Sequence, residues 1–179
     1  DLASAMPHDP AKAKKLLAEA GYPNGFEAVF KVAPQYYYTV RSGEVIAENL
    51  KKIGVNVKIE QIEWGQWLSR VWKEADYDLT IIGHAEAWDI ANYANPKYYY
   101  RYDSKKFQDL FQKSEVTLDD KARGELFAQM QKLMVEDAPV VWLYMHPRLA
   151  VTKKGVTGFW KGLPVPSADL SEVGWAAAK

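Results

Sequence analysis

The sequence contains no cysteine in its 179 residues. Structural disulfides, thiolate metal sites and a cysteine nucleophile are therefore excluded, while the compartment stays open. Charge of one sign is lacking too: 23 Lys and Arg against 23 Asp and Glu leave a formal net charge of zero. The basic residues are scattered among acids instead of gathered into a stripe, so neither a nucleic acid nor an anionic membrane surface is expected as a partner. The cluster Lys12, Lys14 and Lys15 sits within an amphipathic helical pattern and reads as its solvated face. No run approaches the roughly 18 apolar residues of a membrane span. Internal repeats and low-complexity segments are missing, and no basic-then-apolar secretory leader follows Asp1. Asp1 to Pro7 reads as the tail of a loop, so the chain is expected to be a piece of something longer. Its length suits one domain with a substantial core better than two.

What is present reads as alternating strands and helices. Asp9-Pro10, then Ala13, Leu16, Leu17 and Ala20, then Gly21 supply an N-cap, a first-turn proline, helical apolar spacing and a terminal glycine, predicting a helix over about 10–20. Phe26, Ala28, Phe30 and Val32 alternate as a strand that ends at Pro34. A second helix from about Val40 carries Ile46, Leu50 and Ile53 on one face and stops at Gly54. Val55, Val57 and Ile59 follow as a second strand. Trp64, Trp67, Leu68, Val71 and Trp72 form one stripe of a third helix. Asp78 to Ile82, a continuous apolar run, reads as a strand buried on both faces. Strand, helix, strand, helix, strand with crossovers of this length implies parallel pairing and right-handed connections, half of a doubly wound α/β sheet. Further on, Ser104 can cap a helix bearing Phe107, Leu110 and Phe111. Thr117 with Asp120 resembles a capping box for a longer helix reaching about Glu136, and Pro139 breaks it. Val140–Met145 and Leu149–Thr152 read as strands, Gly155 to Trp160 as a turn into a short extended piece, and the stretch from Leu163 as a poorly periodic tail.

The chain is organised around Tyr77 to Tyr102. After the strand, hydrophobicity stops at Gly83, and His84, Glu86, Trp88 and Asp89 are followed by Tyr93, Tyr98, Tyr99, Tyr100 and Tyr102. A long loop so rich in rings costs ordering entropy and exposes apolar area, which points to binding. It reads as the ligand-facing loop at the carboxyl end of a sheet strand.

Several motifs in order resemble the C-terminal lobe of bacterial extracellular solute-binding proteins of family five, the peptide-, oligosaccharide- and nickel-binding components of ABC importers. They are the stretch from Asp9 to Phe26, Tyr77-Asp78-Leu79, the stretch from Leu133 to Val141, and Val156-Thr157-Gly158-Phe159. Members are longer and two-lobed. The resemblance implies a type II periplasmic-binding-protein-like lobe over 1–160, a tail over 161–179 that returns to the missing N-terminal lobe, and a ligand held between lobes by hinge closure. It also implies a periplasmic or lipid-anchored location, a membrane permease and an ATPase as partners, no cofactor and no enzymatic activity. The ligand it implies is an oligopeptide or dipeptide, with an oligosaccharide as the alternative.

In peptide-binding members, an acid in this loop pairs with the peptide's amino terminus, and Asp89 is the position that matches; where many members have Asp-Pro, this chain has Asp89-Ile90. Asp89 as a turn or helix cap is the competing reading. Trp88 and Tyr93 are candidates to stack on a ligand or, equally, to pack under the loop. Trp64 lies on a core stripe, yet its helix start should face the cleft; Tyr36, Tyr37 and Tyr38 follow a strand end in the same way, so one of them is expected to reach the ligand. His84 and Glu86 complete the candidate ligand-binding set. A metal is not expected: His84-Ala85-Glu86 matches the H-x-E of zinc deaminases, but the C-x-x-C those enzymes need is missing, and His8 and His146 are far away in sequence. The alternative of another class is a carbohydrate-active enzyme using Glu86 and Asp89.

Overall fold

The computed structural model describes residues 2, 4–86, 88–145, 149, 151–159 and 169–176. Helix α1 (Pro10–Glu19) starts where expected. The Asp9 carboxylate accepts the Lys12 N–H at 2.9 Å, and Pro10 occupies the first turn. Strand β1 (Phe26–Val32) leads through α2 (Tyr37–Lys51) to β2 (Val55–Gln61). The chain then crosses over to β3 (Leu79–Thr80), which pairs with the opposite edge of β1. The order β2-β1-β3 is parallel throughout, with Phe26 opposite Val55 and Phe30 opposite Leu79. This is the expected α/β arrangement.

Side chains alternate across β1, so its two faces contact different elements. Phe30 and Val32 pack with Ile81 against Val40 and Ile46 of α2. Lys31 points the other way and is only 3% exposed. Its ammonium meets Asp76 at 2.7 Å, and Arg70 holds the same carboxylate at 2.8 Å while reaching Glu60 of β2 at 3.1 Å. Lys31 leads the groups that hold the Asp76 carboxyl below its ordinary value of 3.8, with Arg70 second. A depressed carboxylate contributes stability that is complete above its unfolded pKa and disappears as pH falls through the folded one. The melting temperature is therefore expected to fall as acid protonates Asp76 and leaves the Lys31 ammonium buried. Lys31→Met should flatten that acid limb in a melting-temperature series from pH 6 to pH 2, and an unchanged limb would refute the assignment.

The third helix departs from the sequence reading. A single α turn, α3 (Trp64–Gln66), continues as a π-helix over Trp67–Lys73. The wider turn lets residues five apart share a neighbour. Trp67 and Trp72 accordingly both pack on Tyr99, with ring centroids 5.7 and 5.0 Å away. The strand expected over Asp78 to Ile82 pairs only at Leu79–Thr80. Its start is replaced by a side chain, since the Asp78 carboxylate accepts the Val29 N–H at 2.8 Å.

A second group of helices covers the aromatic stretch. A 3-10 helix (Asp89–Ala94), α4 (Lys105–Glu115) and α5 (Asp120–Asp137) enclose Tyr93, Phe107, Met130, Leu133 and Met134. Ser104 caps α4 as expected. The cap of α5 is Asp119, whose carboxylate accepts the Ala122 N–H at 2.7 Å; Thr117 instead turns back to the Lys113 carbonyl. Val140–Met145 forms no ladder with any described residue, and Val141 and Met145 are largely exposed. An apolar run makes a strand only where a partner completes its hydrogen bonds. Leu149, Val151 and Thr152 are likewise unpaired, while Ala150 lies outside the described residues. Val156–Thr157 (β4) pairs antiparallel with Gly174–Trp175 (β5), so the described end of the tail returns to the turn after Lys154. Residues 160–168 and 177–179, like His146, lie outside the described residues. Among those described, no helix is long and apolar enough to cross a membrane.

Candidate functional site

With β2 and β3 on opposite sides of β1, the crossovers diverge at the carboxyl ends of β1 and β3. Such a switch point leaves a crevice that loops can line. After β1, Thr39 donates to the carbonyls of Ala33 and Tyr36 at 2.8 Å each and fixes the turn into α2. That turn places the Tyr38 hydroxyl to accept the Gly83 N–H at 3.0 Å. The loops after β1 and β3 are thus tied together at the crevice.

His84 follows directly. Its Nε2 lies 2.7 Å from the Tyr99 hydroxyl, and the two rings stack with an interplanar angle of 11°. Tyr99 is only 4% exposed, and its carbonyl accepts from the Tyr77 hydroxyl at 2.6 Å, so the imidazole is braced against the core. The other nitrogen, Nδ1, faces Glu86 Oε2 at 3.2 Å and Asp89 Oδ1 at 3.7 Å. Asp89 opens the 3-10 helix behind Trp88 at the cap position, and its Oδ1 accepts from the Asn92 amide at 2.7 Å. Glu86 Oε2 accepts the Ala85 N–H at 2.9 Å. Burial pushes the Glu86 carboxyl up, but backbone N–H groups and the charge of His84 outweigh it and hold the group below the usual carboxylate range.

Two cavities meet at His84. One, of about 430 Å³, is walled by Tyr38, His84, Asp89, Tyr93, Tyr100 and Trp142. The other, of about 500 Å³, lies across the loop against Trp64, Trp67 and Trp72 and also touches Glu86. Of the residues singled out by sequence, His84, Glu86, Asp89 and Tyr93 converge on one place, and Trp64 lines the far cavity. Tyr36 packs edge-on against Trp64 with centroids 5.4 Å apart, while its neighbour Tyr38 lines the near cavity. Trp88 is 74% exposed, its ring over Phe127 of α5 at 6.3 Å. Tyr93 is buried, stacked on Tyr100 at 4.9 Å, and still lines the near cavity. Sequence reasoning missed Tyr99, Asn92 and Trp142. For Asn92 a signal existed in its three-residue offset from Asp89; Trp142 lay inside a run that reads as a buried strand.

Comparison with known proteins places the chain in a family. Residues 2–118 match the family described as bacterial extracellular solute-binding proteins, family 5 middle. The chain is 30% identical over 167 residues to the dipeptide-binding protein of Escherichia coli K12, covering 85% of this chain and 31% of that one. It is 31% identical over 147 residues to heme-binding protein A of Haemophilus influenzae, covering 74% and 27%. The periplasmic binding protein DppA of Helicobacter pylori, solved in complex with the peptide STSA, superposes with a TM-score of 0.62 at 29% identity, covering 74% of this chain and 28% of that one. The chain therefore spans about a third of the length of the relatives it matches. By this match and the order of its elements, the chain belongs to the bacterial extracellular solute-binding proteins of family 5.

Proposed function

We propose that this chain supplies one lobe of the solute-binding component of an ABC importer, and that the intact protein captures an oligopeptide or dipeptide in a cleft between two lobes. Asp89 then receives the amino terminus of the peptide. One observation carries the reading: at the carboxyl edge of the sheet, a carboxylate 31% exposed and oriented by Asn92 faces an aromatic-walled cavity. An ammonium group gains strongly from such a partner once lobe closure removes water, whereas a neutral sugar gains less. A missing N-terminal lobe supplies the remaining contacts, a membrane permease and ATPase take the cargo onward, and the protein works in the periplasm or on a lipid anchor. Capture without chemical change fits Glu86 and Asp89, which lean on one imidazole nitrogen instead of standing across a bond.

Calorimetry of the intact parent protein with dipeptides tests this. Asp89→Asn is expected to weaken binding about tenfold to a hundredfold, the range for losing one charge-assisted hydrogen bond. N-acetylated dipeptides should bind as weakly to the wild type and lose nothing further in the variant. Equal affinity of Asp89→Asn and wild type would refute the amine anchor, and consumption of the ligand would refute capture itself.

A further inference from the structure

We propose that His84, Glu86 and Asp89 form a site for one divalent transition-metal ion of the zinc kind, with His84 coordinating through Nδ1. Two carboxylate oxygens converge on this nitrogen, at 3.2 and 3.7 Å, and the three ligand atoms all lie within 4.8 Å of one another. Two carboxylates so close to one imidazole nitrogen call for positive charge between them. A proton on Nδ1 hydrogen-bonds well only to Glu86, because 3.7 Å to Asp89 is too long. An ion serves all three. Bound about 2.1 Å from each of three tetrahedral ligands, it would hold them about 3.4 Å apart, close to both measured separations from Nδ1.

The surroundings also suit a metal. Ligating histidines usually donate their second N–H to a fixed partner, and ligating carboxylates are themselves hydrogen-bonded. Here Nε2 meets the Tyr99 hydroxyl, Asp89 is held by Asn92, and Glu86 by the Ala85 N–H. Tyr99 in turn is fixed between Trp67 and Trp72. Three protein ligands leave a fourth position open, and the cavity walled by Tyr38 and Trp142 lies beside it for water or a cargo atom. The Tyr98 hydroxyl is buried without a hydrogen-bond partner among the described residues. The donor set chooses the ion: imidazole with carboxylates suits zinc, cobalt or nickel, whereas calcium and magnesium want six or more oxygen ligands.

The proposal goes beyond peptide capture and shares with it only Asp89 and the cavity beside it. The parent protein, stripped with a chelator, would be titrated with Zn²⁺ alone by calorimetry and with Co²⁺ by visible absorption. One ion per protein is expected, with the absorption of four- or five-coordinate cobalt. Glu86→Gln should weaken zinc binding about tenfold or more and His84→Ala about a hundredfold, while Tyr99→Phe, which touches no ion, should cost about tenfold. Glu86 is 53% exposed, so its variant keeps the fold even if that of His84 does not. No binding, or binding that neither Glu86→Gln nor His84→Ala alters, would overturn the site. Dipeptide titration of Glu86→Gln separates the two readings: zinc is lost and peptide affinity kept if both hold, whereas Asp89→Asn that loses zinc and spares peptide would overturn the amine anchor alone.

Discussion

Trp67→Ala is expected to lower the stability of the chain by about 4 kcal/mol, within the range for truncating a buried aromatic side chain. The ring is 1% exposed, lies parallel to Trp64 at 5.0 Å and meets Tyr99 edge-on. Its Nε1–H donates to the Thr80 hydroxyl at 2.9 Å, and that hydroxyl donates to the Lys31 carbonyl at 2.9 Å. One side chain thus joins the π-helix, β3 and β1. Removing it opens a void and leaves Thr80 one donor short, and the surrounding rings cannot collapse far without displacing Tyr99. Because Tyr99 braces His84, zinc affinity should fall along with stability. Urea denaturation gives the first quantity and metal titration the second. A loss below about 1 kcal/mol would show that the aromatic cluster re-packs around the gap.

The second large effect comes from backbone. Gly25 precedes β1 with φ of 74°, and a Cβ there would lie 1.8 Å from the Gly54 carbonyl oxygen. Gly54, at φ 94°, precedes β2, so the two strands enter their ladder through paired glycines. Alanine at position 25 brings left-handed strain of about 1–2 kcal/mol, and a backbone collision that only separation of the strand ends relieves. Gly21 provides the control. It has φ of 91° but nothing within 4 Å of an added Cβ, so Gly21→Ala should cost the strain alone. Gly25→Ala is expected to exceed it by at least about 2 kcal/mol. Equal midpoints for the two variants in urea would show that the strand ends part freely.

The strand and helix alternation was legible because apolar period carries it. Phe26, Ala28, Phe30 and Val32 announce β1, and every residue of β2 through Ile59 follows the same rule. The π-helix was not legible, since the Trp64, Trp67, Leu68, Val71 and Trp72 stripe fits an α-helix equally well and the rings it packs on, Tyr98 and Tyr99, are distant in sequence. Period also misled at Val140–Met145, where a strand's composition stands without a strand's partner among the described residues. At the site, residue types pointed to His84, Glu86 and Asp89, but their common focus on one nitrogen depends on Tyr99 and Asn92. The proposed metal site runs against the expectation of no metal, which rested on the missing cysteines. Lacking thiolates removes one class of metal site and leaves the imidazole and carboxylate class untouched.

The three tryptophans along the far side of the Gly83–Glu86 loop make the protein its own optical reporter. Trp64, Trp67 and Trp72 line the cavity whose opposite wall includes His84 and Glu86. Indole emission responds to the polarity and charge beside the ring, so filling either cavity or placing a cation at His84 changes what these indoles sense. The proposed cargo and the proposed metal can therefore be tested for without a label, and Trp88, mostly in solvent and resting on Phe127, provides a background signal within the same chain.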